Sequence, residues 1–293
     1  MTLRYEIETA YDAANVTGEC PLWHPTENRL YWIDTRLPSI QRLERDGSVR
    51  VWHLPGKVGS FVFRESGGLI LGLEQGFCAF DLETSEITLL VNPEPDRPDV
   101  RLNDGKCDRR GRYWCGTMHQ DGKLPLGALF RYDALGKCTK MDTGFIISNG
   151  MAFSPDNRTM IFGDSTGNTI FQYDFDLESG GIGNKRVFLD TRGLPWHVDG
   201  ATFDSEGYYW CALIYDGAIG RFDPIGRLDR LIRLPVQHPT MCNFGGDNLD
   251  ILYVTSGRRF LTEDELRTQP LAGALFAIHG LGVRGVREPF FAS

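Results

Sequence analysis

The sequence predicts an all-β fold, a six-bladed β-propeller whose four-stranded antiparallel blades surround a central channel. Three observations predict it: a sixfold internal repeat, a constant group of three strand-like stretches in each repeat, and almost no helical pattern. The repeat shows in Asn28–Asp34 (NRLYWID), Gly67–Leu73 (GGLILGL), Gly111–Met118 (GRYWCGTM), Asn157–Asp164 (NRTMIFGD), Gly207–Leu213 (GYYWCAL) and Asn248–Thr255 (NLDILYVT). Each opens on a turn residue and runs into β-branched or aromatic residues. They recur about every 40 to 50 residues, which is the period of a propeller blade.

The flanks repeat too. Before each segment lies a short strand ending in a turn: PLWHPTEN, FVFRESGG, KCDRRG, MAFSPDN, ATFDSEG and CNFGGDN. After it comes a third strand, as in SIQRLERDG, GFCAFDLET and GALFRYDALG, where apolar and polar residues alternate as in half-buried antiparallel strands. A fourth strand is expected in VRVWHLP, ITLLVN, KRVFLD and LDRLIRLP. The stretch Tyr5–Tyr11 is expected to pair with the C-terminal blade and close the ring. Thr262–Gln269 is the best helix candidate, a short capped turn with acidic residues early. No composition break divides residues 1–293, which therefore read as one domain.

Composition narrows the function. With 293 residues and 41% hydrophobic content, the chain can bury a large core. A net charge of −8 argues against a nucleic-acid partner, which needs clustered basic surface. The pairs Arg109–Arg110 and Arg258–Arg259 lie beside turn signals and read as solvated turn residues. Met1–Ala10 lacks the apolar run of a signal peptide, and no stretch is long and apolar enough to predict a membrane span. Seven scattered cysteines without a CxxC pair read as reduced, apolar core residues, which fits a cytoplasmic protein. Its state reads as monomer or weak homo-oligomer.

Aligning the repeats on Trp23, Phe63, Cys107, Phe153, Phe203 and Phe244 sets Glu19, Gly59, Asn103, Asn149, Asp199 and Thr240 in one column, four residues earlier. First strands line the channel of a propeller, so these side chains are expected to face one another at one depth. Two carboxylates and two carboxamides converging there imply a divalent cation, since calcium, magnesium and manganese prefer oxygen ligands. Gly59 and Thr240 leave one side open for water or substrate. By period two, Arg101 shares the face of Asn103 and suits an anionic or polyhydroxylated ligand, whereas Asp104 points away and reads as a structural turn-binder. His197 shares the face of Asp199. No HExxH, GxSxG, Walker A or GxGxxG pattern is present, which leaves a metal-based mechanism.

The contexts of these residues are Gly18–Pro25 (GECPLWHP), Arg101–Met118 (RLNDGKCDRRGRYWCGTM), Ser148–Asp156 (SNGMAFSPD) and Val198–Trp210 (VDGATFDSEGYYW). Together they resemble the SMP-30/gluconolactonase, or regucalcin-like, family over essentially the whole chain. The resemblance implies a propeller that hydrolyses sugar lactones, with Glu19, Asn149 and Asp199 as metal ligands and Arg101 and Asn103 holding substrate. It differs from the column alignment over Asn103, which the column makes a metal ligand. A Glu a few residues after GTM commonly helps in that family; here His119 or Asp121 occupies the stretch. The implied cofactor is one divalent ion, with calcium, manganese, zinc, magnesium and iron(II) all open. Asp199 is expected to act as general base. Two other readings stay open at this point, a regulatory calcium-binding propeller and an interaction scaffold.

Overall fold

Turn residues in the left-handed region cut this chain into strands. Asn28 and Asn157 sit at φ 53° and 60°, and Gly111 and Gly207 at φ 69° and 85°, each between the first and second strands of a repeat. Asn and Gly are the residues that adopt this conformation at least cost. The computed structural model describes residues 5–293; residues 1–4, the start of the stretch read as lacking a leader, lie outside the described residues.

The strands form six four-stranded antiparallel sheets. β1 (Glu6–Tyr11) precedes the first sheet, which is β2 (Gly18–His24), β3 (Arg29–Asp34), β4 (Ser39–Leu43) and β5 (Val49–His53). Next come β6 (Val58–Phe63), β7 (Leu69–Leu73), β8 (Gly76–Phe80) and β9 (Ile87–Val91). The third is β10 (Val100–Cys107), β11 (Tyr113–His119), β12 (Gly127–Tyr132) and β13 (Cys138–Phe145). The fourth is β14 (Ser148–Phe153), β15 (Thr159–Asp164), β16 (Thr169–Asp176) and β17 (Gly181–Asp190). The fifth is β18 (His197–Phe203), β19 (Tyr209–Ile214), β20 (Ala218–Phe222) and β21 (Leu228–Arg233). The last joins β22 (Pro239–Gly245), β23 (Ile251–Ser256) and, after the helix α1 (Glu263–Thr268), β24 (Leu275–His279), with β1 as its fourth strand. The fold is an all-β six-bladed β-propeller, as the repeat predicts.

Each expected element is found. β5, β9, β17 and β21 fall on the four stretches read as fourth strands, and β1 pairs antiparallel with β24 from Glu6↔His279 to Tyr11↔Leu275. α1 carries a capping box in which the Thr262 side chain and Glu265 satisfy each other's backbone amides. It is too short to cross a membrane, and no other helix occurs among the described residues. All seven cysteines are free, and six are buried.

Two compact units emerge. One comprises residues 1–54 and 193–287, the other residues 55–192 and 288–293. In the first, Trp210, Ile219, Phe244, Val254 and Phe276 pack between the fifth and last sheets, while Leu30, Trp32 and Leu275 pack between the last and the first. In the second, Val62, Phe77, Tyr113 and Phe130 join the second sheet to the third, and Trp114, Phe145 and Phe162 join the third to the fourth.

Tryptophan and aspartate pin the blades by the same device twice. Asp108 and Asp204, both fully buried, each accept a hydrogen bond from the indole N–H six residues on, Trp114 at 2.7 Å and Trp210 at 2.8 Å. Each also takes an arginine Nε, from Arg112 at 2.7 Å and Arg221 at 2.8 Å. Buried carboxylates need such partners, and here the D-x5-W spacing supplies them.

Candidate active site

Every first strand carries one extra residue at or just after its column position. Its register against the second strand slips between Glu19 and Leu22, Val58 and Ser60, Leu102 and Gly105, Asn149 and Ala152, Val198 and Ala201, and Pro239 and Met241. These are β-bulges, which interrupt pairing and re-aim side chains. The six aligned column positions therefore lie at six equivalent bulges. The bulge also corrects one step of the sequence reasoning: with an extra residue in between, an offset of four no longer keeps a side chain on one face. The alignment holds because the irregularity recurs in all six strands.

Within residues 55–192, β10 and β14 bring Arg101, Asn103 and Asn149 into one hydrogen-bonded chain. Arg101 is 5% exposed, and its Nη1 donates to Leu102 O at 2.9 Å and to Asn103 Oδ1 at 3.0 Å. A guanidinium has only donors, so the atom of Asn103 facing it is the oxygen. Asn103 Nδ2 then donates to Ser148 O at 2.9 Å and reaches Asn149 Oδ1 at 3.4 Å. Asn149 Nδ2 donates to Ser165 Oγ at 3.0 Å, so the oxygen of this buried amide is the atom turned toward Asn103. The Asn103 oxygen is thus engaged by Arg101 and its nitrogen by β14.

Sequence reasoning missed the layer beneath. Ser60 Oγ donates to Asn103 O at 2.6 Å, and Tyr113 OH lies 2.7 Å from the same hydroxyl. A Cβ on Gly59 would fall 2.5 Å from Asn103 Cα, so glycine stands in the column because the backbone of β10 passes there. The adjacency of Ser60 to the column was the available signal. Asp104 Oδ2 accepts from Met151 N at 2.8 Å and thereby ties β10 to β14, the structural role its position suggested. Burial pushes its carboxyl above the usual aspartate value, and these backbone amide hydrogen bonds only partly oppose the rise.

Residues 1–54 and 193–287 carry the two carboxylates. Asp199 on β18 is 8% exposed, and Glu19 on β2 is half-buried. Between those strands lies β22, where the buried Thr240 Oγ1 donates to Gly18 O, next to Glu19. A Cβ on Gly200 would collide with Met241, so β18 packs closely on β22 beside Asp199. His197 begins β18 and meets the Tyr215 ring edge-on at 5.6 Å.

His119 and Asp121 stand apart from the amide chain. His119 pairs with Val100 in the ladder, and its Nδ1 accepts from Lys123 N at 3.4 Å within its own turn; Asp121 is exposed there. Among the described residues no group of three or more His, Cys, Asp or Glu side chains is placed to hold a metal. A cation here depends on amide as well as carboxylate oxygen. The donor types of Glu19, Asn149 and Asp199 are those that a hard divalent ion takes.

Residues 17–258 match the family model described as the SMP-30/Gluconolactonase/LRE-like region. The chain belongs to that family. Among SMP-30/gluconolactonase relatives, it is 38% identical to a 6-deoxy-6-sulfogluconolactonase from Pseudomonas putida, over 95% of this chain and 96% of the relative. It is 32% identical to human regucalcin, over 94% of each chain. In three dimensions it is similar to a calcium-binding protein, regucalcin, from Agrobacterium tumefaciens, with a TM-score of 0.93, 28% identity, and 98% of this chain and 97% of the other covered.

Proposed function

We propose that this protein hydrolyses a sugar lactone to the open-chain aldonic acid, with one divalent cation held by Glu19, Asn149 and Asp199. The observation that supports the reading is the recurring bulge, which begins at or just after the oxygen-bearing residue of β2, β14 and β18. Full-length similarity to the 6-deoxy-6-sulfogluconolactonase supports the choice of a lactone.

A cation held by these residues would supply Lewis-acid polarisation of the lactone carbonyl and a counter-charge for the negative charge that develops on its oxygen. Asp199 takes the proton of the attacking water and returns it to the ring oxygen as the C–O bond opens. The buried side of Arg101 is fixed by Leu102 O and Asn103 Oδ1, so its remaining N–H groups meet the sugar hydroxyls in one orientation. Asn103 transmits that order to Asn149 through its amide. His119 and Asp121, on the turn after β11, are assigned to the outer part of the sugar. Asp is one methylene shorter than the Glu common in the family, so this contact is expected to shift substrate preference rather than catalysis.

The test is proton release from a panel of aldonolactones by metal-loaded protein. Turnover of at least one member is the expected result. Silence across the panel, from folded and metal-loaded protein, contradicts the reading. It would favour the calcium-binding reading, to which the Agrobacterium relative points, or another ester or lactone substrate.

A further inference from the structure

The loops at one end of residues 1–54 and 193–287 hold a charge arrangement that the proposed chemistry does not use. Gly18 pairs with Asp34, so the loop after β3 leaves beside Glu19. Pro239 pairs with Ser256, so the loop after β23 leaves beside Thr240. His197 pairs with Ile214, so the loop after β19 leaves beside Asp199. These loops carry Arg36, Arg259 and Tyr215 in turn.

Backbone hydrogen bonds hang two of the loops on neighbouring carbonyls. Thr35 N donates to Thr17 O at 2.9 Å, and Arg259 N to Val16 O at 3.0 Å. The buried His238 fixes the second loop again, its Nδ1–H donating to Arg259 O at 3.0 Å. Arg259 is half-buried, unlike the exposed Arg258 beside it, so only half of that pair is the solvated turn the sequence suggested. Tyr215 and Phe260 take φ of 75° and 71°, a left-handed conformation that is a true outlier for bulky aromatic residues. Strain of this kind collects at ligand sites.

Among the described residues neither arginine has a carboxylate partner. Other half-buried or buried arginines of the chain do have carboxylates: Arg221 has Asp204, Glu206 and Asp229, and Arg112 has Asp108. Asp34 lies two residues before Arg36, but its oxygens accept backbone N–H groups of Val16, Thr17, Arg36 and Leu37. Arg36 Nε is buried without a hydrogen-bond partner among the described residues. Arg259 lies over the Phe260 ring at 4.2 Å. Burial and the repulsion of Arg36 both press Arg259 below the usual arginine value. Two half-buried guanidiniums therefore stand on loops hung from the adjacent carbonyls of Val16 and Thr17, in a chain of net charge −8, with no anion beside them among the described residues.

We infer that Arg36 and Arg259 form a subsite for a tetrahedral oxyanion, a sulfonate or phosphate group, carried by the substrate at a position remote from the reacting carbonyl. Guanidinium forks match such groups with paired N–H···O bonds, and the like-charge strain between the arginines is relieved when an anion sits between them. The subsite deepens the lactonase proposal and rests on it for the identity of the carrier.

The experiment compares a neutral aldono-δ-lactone with its 6-phosphate ester in the wild-type protein, in R36Q/R259Q and in the charge-preserving R36K/R259K. Wild type should favour the phosphate ester in kcat/KM. R36Q/R259Q should lose roughly 10- to 100-fold on that ester while the neutral lactone stays within about threefold. R36K/R259K should recover part of the loss. If both substrates fall together in R36Q/R259Q, the arginines serve only as counter-charge to the carboxylates or as structure, and the subsite is overturned; if neither falls, it is overturned as well. Should wild type turn over neither lactone, the lactonase reading fails, and inorganic sulfate titrated by calorimetry into metal-free protein decides the subsite. Saturable binding lost in R36Q/R259Q upholds it, and absence of binding in wild type overturns it.

Discussion

Replacing Asp199 by Asn is expected to lower kcat by about 10²- to 10⁴-fold, the usual contribution of a positioned general base. The substitution keeps an oxygen donor at the bulge of β18 but removes its charge and the base together, so turnover should collapse even when the metal is supplied at saturating concentration. Asp199→Ala removes the oxygen donor as well and should be worse. Arg101→Gln is the informative contrast. It deprives Asn103 Oδ1 of its 3.0 Å donor and the substrate of its orienting group, and should show mainly as a raised KM. Steady-state kinetics on the same lactone checks all three. Near-normal kcat in Asp199→Asn would remove Asp199 from the role of base.

The largest expected effect on stability lies at the opposite end of the same strand. Asp204 is fully buried and accepts from Trp210 Nε1, Arg221 Nε and the backbone amides of Glu206 and Tyr208. Asp204→Ala leaves Arg221, 4% exposed and stacked over Tyr208 at 3.6 Å, without its most buried carboxylate. Removing one partner of a buried ion pair typically costs about 3–5 kcal/mol. For a chain of this size that is a fall in Tm on the order of 10 °C. Thermal unfolding followed by circular dichroism should show the drop, with turnover at low temperature nearly unchanged. A Tm within about 2 °C of wild type would mean that the indole and guanidinium find other partners.

The blades were legible because each strand boundary has a local chemical cause. Asn28, Gly111, Asn157 and Gly207 turn the chain where the repeat predicted. The D-x5-W spacing in KCDRRGRYW and ATFDSEGYYW was visible as a repeat, although its meaning, a buried carboxylate serving an indole, needed coordinates. The sixth turn is less regular: Leu249 takes φ 54°, which no residue-type preference would suggest. Bulges were illegible for a general reason. They are backbone events: Gly150 and Cys20 take φ of 71° and 53° directly after Asn149 and Glu19, and nothing in the residue type of a cysteine signals that. The candidate residues were found through the repeat, which survives a bulge that recurs in every strand. Side-chain orientation was not: that Arg101 occupies the oxygen of Asn103 is seen only in the structure. Arg259 was misjudged because a turn signal says nothing of the burial that a neighbouring blade imposes.

The most direct test of the central claim is metal content and lactone turnover measured together, on chelator-stripped protein and after each divalent ion is added back, in wild type and in Glu19→Gln. The proposal predicts that stripped wild type is folded and inactive, that one equivalent of a suitable ion restores turnover, and that Glu19→Gln binds that ion at least about tenfold more weakly. Full turnover by metal-free wild type, or unchanged ion binding in Glu19→Gln, would contradict it.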